Sequence, residues 1–255
     1  MTIEPVAVNT FPGAAAFAEG RFVAPDDAKV SLFDWGFTRS DATYDVASVW
    51  QGSFFRLEDH LDRFFASLEK LRFSIPYARA DVRAILHGCV RAAGLKDAYV
   101  AMVCTRGVPP RGARDPRLAQ NRFYAYALPF VWIAPPEKQR AGLDLHVSAR
   151  HRIAPESVDP TVKNYHWLDL VQSLFDAYDR GCDTSCTVDA AGNVAEGPGF
   201  NVFTVRDGVV HFSGVITDER QREALRVAAE NIPGVKKIED TASGWSAMTS
   251  TERGG

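Results

Sequence analysis

Residues 57–72, "LEDHLDRFFASLEKLR", constrain the fold more than any other stretch. Apolar side chains recur at Leu57, Leu61, Phe64, Phe65, Leu68 and Leu71, the spacing that gathers them on one side of a helix. A second helical stretch, "ARADVRAILHGCVRAAG", ends at Gly94,. Strand-like sequence flanks both. "FAEGRFV" and "VWQGSFFRL" read as hairpins with Gly20 and Gly52 at the turns, and "AYVAMVCT" and "RFYAYALPFVWIA" as buried strands,. A Pro-, Gly- and Arg-rich loop, "RGVPPRGARDPRLAQN", joins the latter two. Pro135 and Pro136 then open the linker "PPEKQRAG",. Beyond it the sequence predicts a strand at 143–149, a loop, a helix starting within "DPTVKNYHWLDLV", short strands within 184–212 and a helix near 218–230. This order predicts an α+β chain of two domains. Residues 1–134 form the first, 135–141 the linker and 142–255 the second.

Composition narrows the function. The 255 residues are 46% hydrophobic, enough for one or two sizeable cores. A net charge of −3 with scattered basic residues gives no reason to expect nucleic acid as a partner,. No apolar run reaches the roughly 20 residues of a membrane span. The start, "MTIEPVAVNTFPG", lacks the pattern of a secretory leader,. Cys89 and Cys104 lie in apolar segments, and Cys182 and Cys186 lack the matched second pair of a zinc site,. We therefore expect no metal, unpaired thiols and a cytoplasmic protein.

A few residues carry chemical possibilities beside ordinary readings. Lys163 stands among Asn164, Tyr165, His166 and Trp167. A surface lysine that snorkels to water is the plain reading of this window. A partly desolvated lysine would instead lose charge and act as a nucleophile, able to form a Schiff base with an aldehyde. Glu196 precedes Gly-Pro-Gly and an apolar segment read as a strand. It is either a turn glutamate or a carboxylate offered to a ring nitrogen. Arg63 lies off the apolar stripe of its helix, either solvated or poised as a fork for phosphate. Thr217 precedes a helical pattern, as an N-cap or as part of a phosphate site. Ser250 and Thr251 stand near the terminal glycines as a weaker oxyanion cradle.

Several segments, in this order, resemble the class IV, or fold type IV, pyridoxal-phosphate aminotransferases, whose members include branched-chain, D-amino-acid and (R)-selective amine transaminases. "SDATYDVASVWQGSFFRLEDHLDRF", "TRGVPPRGARDP", "PFVWIAPP", "TVKNYHWLDL" and "EGPGFNVF" carry the likeness, and in detail they look most like the (R)-amine group. The resemblance implies a two-domain fold like that of D-amino-acid aminotransferase, with a small first domain and a larger second domain that reads as shortened. It implies pyridoxal 5′-phosphate as cofactor, with Lys163 as its covalent anchor and proton carrier. Glu196 would hold the pyridine nitrogen. Arg63, Ile216, Thr217 and Thr251 would hold the phosphate. Tyr44, Val46 and Trp167 would line the substrate pocket, Arg111 would meet a keto-acid carboxylate, and Arg39 would add charge at the pocket mouth. The reaction implied moves an amino group from an (R)-amine or D-amino acid to a keto acid such as pyruvate. D-amino-acid or branched-chain aminotransferase activity and an aminodeoxychorismate-lyase-like activity are the alternatives on the same fold. The partners implied are small amines and keto acids and a second copy of the chain as a homodimer.

Overall fold

Two tight turns begin the first sheet. Strand β1 (Ala15–Ala18) reverses into β2 (Arg21–Val23) through Glu19 and Gly20, both at positive φ. After a single helical turn, α1 (Trp35–Thr38), strand β3 (Ala42–Trp50) reverses in the same way into β4 (Ser53–Phe54) through Gln51 and Gly52. Two consecutive positive φ angles give the turn whose twist matches paired strands, which is why glycine sits second in each. Helices α2 (Leu57–Lys70) and α3 (Arg79–Ala93) follow, then β5 (Ala98–Val108), β6 (Gln120–Pro129) and the short α4 (Pro136–Ala141). The structure is a computed structural model, and it describes residues 12–212, 215–216, 219–230, 232, 234–241 and 243–244. Thr217, Ser250 and Thr251 lie outside the described residues.

The six strands form one antiparallel sheet in the order β2-β1-β6-β5-β3-β4. Side chains alternate across it, so one set faces α2 and α3 and the other faces away. Ala47 and Val49 of β3, Val100 and Met102 of β5, and Phe123 and Ala125 of β6 make the helix-side core with Leu61, Phe64, Val82 and Leu86. Each of these large side chains contributes about 1.5–3 kcal/mol by leaving water. The opposite set includes Tyr44, Val46, Tyr99, Ala101, Val103 and Tyr126, brought level by the strand register.

The expected strand through residue 134 stops at Pro129. That residue pairs with Ala98, the first residue of β5, so the chain beyond it has no partner strand. Within the expected linker, residues 136–141 close a helical turn as α4, with Pro136 at its start,.

The remaining elements are β7 (Leu145–His151), α5 (Leu168–Tyr178), β8 (Thr184–Val188), β9 (Thr204–Arg206), β10 (Val209–Phe212), β11 (Val215–Ile216), α6 (Glu219–Glu230), β12 (Lys237–Asp240) and β13 (Ser243–Gly244). β7 and β8 are parallel, β10 lies between β12 and β9, and β11 pairs with β13. The apolar segment after Gly-Pro-Gly, expected as a strand, is instead a turn at Gly197–Phe200 followed by irregular chain, and the strand begins at Thr204.

The chain divides into two compact units. The first comprises Met1–Gly142 and Pro155–Leu168, the second Leu143–Ala154 and Asp169–Gly255. The division is not sequential, since residues 155–168, which carry Lys163, group with the first unit. The helix expected to begin within 159–171, with Lys163 near its front, begins only at Leu168. Asn164 explains the delay. Its amide donates to the Val162 carbonyl and accepts from the His166 N–H, local bonds that compete with helix formation.

Candidate active site

Lys163 is fixed by its backbone. β4 pairs only with Val49 and Trp50, at the far end of β3. The near end of that edge is taken by the Lys163 segment, where Asn164 bridges Thr43. The Lys163 carbonyl accepts from the Thr43 hydroxyl at 2.7 Å and from the Tyr44 N–H at 3.2 Å. The side chain then runs over the Tyr44 ring, with Nζ 4.8 Å from its centroid. Tyr165 stacks on Tyr44 at 4.3 Å between centroids and 11° between planes. Burial, reinforced by neighbouring Tyr126, Tyr44 and Tyr99, raises the Tyr165 hydroxyl well above its usual range, so it stays a neutral donor. A second tie holds this segment. Lys70, in the last turn of α2, donates to Asp159 at 3.0 Å and also to Thr161.

The next residue of β3 organises a second cation. Asp45 points to the helix side, and its side chain is fully buried. Its carboxylate accepts from Arg63 Nε at 2.6 Å and Nη2 at 2.8 Å, and lies 2.9 Å from His60 Nδ1. Burial alone would raise the Asp45 carboxyl, but the bonds and charges of Arg63 and His60 outweigh it and hold the group below the ordinary carboxylate value,. Thr43, Tyr44 and Asp45 thus set the Lys163 backbone, the Lys163 amine and the Arg63 guanidinium in turn. Asp45 was not among the expected site residues. The signal was there, because an acid sharing the period-two face of Ala47 and Val49 needs a partner.

The other expected residues of the first unit are placed more loosely. Val46 is half-buried on the Tyr44 face, and Trp167 is half-buried just ahead of α5. Arg39 is exposed and stacks on Trp35 at 3.7 Å. Arg111 is exposed in the loop between β5 and β6. That loop leaves the sheet through a bulge at Thr105–Val108, where a Cβ on Gly107 would fall 1.8 Å from the Gln120 carbonyl oxygen.

Glu196 belongs to the second unit. Asp189 caps a turn by accepting the Ala191 and Asn193 N–H groups. The returning chain pairs with β8, and the Glu196 carbonyl accepts from the Thr187 N–H and hydroxyl. The Glu196 carboxylate accepts from Arg152 Nε at 2.6 Å, while Arg152 Nη1 reaches Asp169 at 2.9 Å. Arg152 follows β7 directly and had not been singled out, as nothing local in "ARHRIAP" marks one arginine as the partner. Ile216 lies in β11, whose backbone pairs with Gly244. Among the described residues, no group of His, Cys, Asp and Glu is arranged to hold a metal ion.

The first unit therefore offers an amine and a guanidinium, and the second a carboxylate, each held by a named partner. The sequence pattern of the family described as "Amino-transferase class IV" matches residues 42–218, which span all three. A candidate branched-chain-amino-acid aminotransferase of Methanocaldococcus jannaschii is 27% identical over 240 residues, covering 92% of this chain and 81% of that protein. A D-alanine aminotransferase of Listeria monocytogenes is 35% identical over a shorter stretch, 34% of this chain and 30% of the relative. The crystal structure of the branched-chain aminotransferase of Thermoproteus uzoniensis with norvaline superposes with a TM-score of 0.73 at 26% identity, covering 89% of this chain and 77% of that one. With the family pattern covering more than half of its length, this chain belongs to the class IV aminotransferases, fold type IV enzymes that use pyridoxal 5′-phosphate.

Proposed function

We propose that Lys163 is the group that anchors the cofactor and carries the proton in an amino-group transfer from a small apolar donor to a keto acid. The observation that carries this reading is the fastening of the Lys163 carbonyl to β3, with its amine over the Tyr44 ring. The donor set suits pyridoxal 5′-phosphate chemically. An amine matches its aldehyde, a guanidinium its phosphate and a carboxylate its ring nitrogen. When bound, the cofactor supplies a carbonyl that takes up the substrate nitrogen and a ring that draws off electrons from Cα.

The chain's own residues do the rest. Lys163, held by its backbone, takes up at Nζ the proton lost from the substrate's Cα and gives it back,. Tyr44, with Tyr165 stacked on it, gives the amine an aromatic surface that limits water,. Arg152 places a permanent charge beside Glu196, which favours an acceptor that keeps a ring N–H protonated. Arg63 holds phosphate, together with Thr217, Thr251 and the Ile216 backbone. Val46 and Trp167 shape the donor pocket. Arg111, with Arg39, meets a substrate carboxylate, since a desolvated carboxylate needs a charged partner.

The donor we favour is an amino acid with a branched apolar side chain. The likeness to branched-chain aminotransferases runs over most of the chain, and the face around Tyr44 and Val46 is apolar and aromatic. An (R)-amine or D-amino acid is the second reading. It is supported by the D-alanine aminotransferase likeness and by the exposed place of Arg111, which could withdraw for an uncharged donor. The active species we infer is a homodimer in the cytoplasm, and an active monomer on sizing would refute the dimer.

A half-reaction panel separates the donors. The cofactor-loaded enzyme is mixed with L-leucine, D-alanine, (R)-1-phenylethylamine and (S)-1-phenylethylamine, and the keto product of each is measured. L-leucine turnover alone supports the branched-chain reading, and turnover of D-alanine or the (R)-amine alone supports the second. No product from any donor, in a protein that holds the cofactor, sinks transamination. Lys163→Ala should abolish product with every donor.

A further inference from the structure

We propose that Asp45 is a positioning residue for the cofactor phosphate. It fixes the Arg63 guanidinium so that one edge is spent on the protein and the other is left as an anion fork. The proposal rests on the reading of Arg63 as a phosphate ligand and gives that residue its geometry.

A guanidinium has two usable edges. One joins Nε and Nη2, the other Nη1 and Nη2. Asp45 takes the first edge with both of its oxygens, at 2.6 and 2.8 Å. One N–H of Nη1 and the remaining N–H of Nη2 lie on the second edge, where a phosphate can be met bidentately. The two ends of the contact differ in exposure. The Asp45 side chain is 0% exposed and that of Arg63 41% exposed, so the clamp is rooted in the core while the fork reaches its surface. His60, one turn before Arg63 on α2, donates to the same carboxylate if protonated on Nδ1. Asp45 is therefore met from two positions on one helix face and cannot follow Arg63 if it swings.

This arrangement has a competing consequence, and the competition makes it testable. Asp45 also brings a negative charge near any bound phosphate. If charge dominated, removing it would tighten anion binding. If orientation dominates, as we propose, removing it frees a flexible arginine and loosens anion binding, because a fork held in place loses less freedom on binding.

The test compares two ligands of the apo-protein, pyridoxal 5′-phosphate and pyridoxal, which shares the aldehyde and ring but lacks the phosphate. The ratio of their affinities reads the phosphate contact alone. Asp45→Asn should lower the ratio about tenfold, the scale of one charge-assisted hydrogen bond, with pyridoxal affinity little changed. A raised ratio, an unchanged ratio, or an equal loss of both ligands would each overturn the proposal, the last by giving Asp45 a merely structural role. Should Asp45→Asn fail to fold, Asp45→Glu keeps the charge but displaces the guanidinium by one methylene. It should lower the ratio in the same direction, and an unchanged ratio there also overturns the idea. Arg63→Ala separates the two layers. If its ratio equals the wild-type ratio, the phosphate role of Arg63 itself fails. If its ratio falls while the Asp45 variants keep theirs, only the positioning role fails.

Discussion

Asp45 joins stability to acidity through one buried carboxylate. Its folded-state pKa lies below the ordinary carboxylate value, so protonation is harder in the folded protein than in the unfolded chain. The stabilisation is complete above the unfolded value and is lost as pH falls through the folded one. Wild type should therefore exceed Asp45→Asn in stability by on the order of 2 kcal/mol near neutrality, at the low side for a buried pair because Arg63 reaches solvent. That difference should shrink below about pH 4 in denaturant melts taken from pH 3 to 7. A constant difference across that range would show that the carboxylate's charge is not what stabilises. Residues of this kind mark the limit of reading a sequence locally. Lys163, Glu196 and Arg63 could be singled out because their neighbours form recognisable motifs. Arg152 and Tyr165 could not, since their value lies in Glu196 and Tyr44, partners that only the fold supplies.

At the scale of elements, two connections decide how the site is held. Gly107 lets β5 bulge as it leaves β6 for the loop that carries Arg111. Its φ of +82° and the close Gln120 carbonyl leave no room for a side chain. Gly107→Ala should cost about 2–4 kcal/mol from backbone strain and overlap together, seen as a lowered melting temperature. If Arg111 binds the keto acid, KM for that substrate should rise more than kcat falls. Lys70 makes the opposite kind of contact. It ties α2 to Asp159 and Thr161, but its side chain and that of Asp159 are both about half exposed. Lys70→Ala should change stability by less than about 1 kcal/mol while hydrogen exchange speeds up across 159–164. A large fall in melting temperature would contradict this ranking. The helices α2 and α3 and both early hairpins were legible because period and turn chemistry agree with the packing. The Lys163 segment was misread as helix for a physical reason. Its apolar spacing suits a helix, but its carbonyl is bonded to Thr43 and Tyr44, far away in the sequence.

For the whole molecule, the two units are unequal in their described cores. The first joins four long or central strands and two helices around one continuous apolar cluster. In the second, the described apolar cluster centres on Val210 and Ala229, with Phe203, Val235 and Ile238 beside it. Polar contacts such as Ser173 with Ser185 and Arg150 with Asp176 supply much of the remaining order. Burial of apolar area is the larger stabilising term, so the second unit should open first. Peptide-resolved hydrogen exchange of the apo-protein in rising urea should lose protection in 169–188 and 204–212 before β3, β5 and α2. The segment 155–168 should follow the first unit, since that is where it groups. A sequence reading that cut the chain near 135–141 would instead send it with the second, so the experiment distinguishes the two divisions. Adding pyridoxal 5′-phosphate then tests the proposed ligands, because a ligand stabilises only what it binds in the folded state. With Lys163 and Arg63 as ligands, protection in the first unit should rise. With Glu196 as a ligand as well, protection around β8 and the Glu196 turn should rise too. A gain confined to the first unit would remove Glu196 from the cofactor and leave its bond to Arg152 as a structural one.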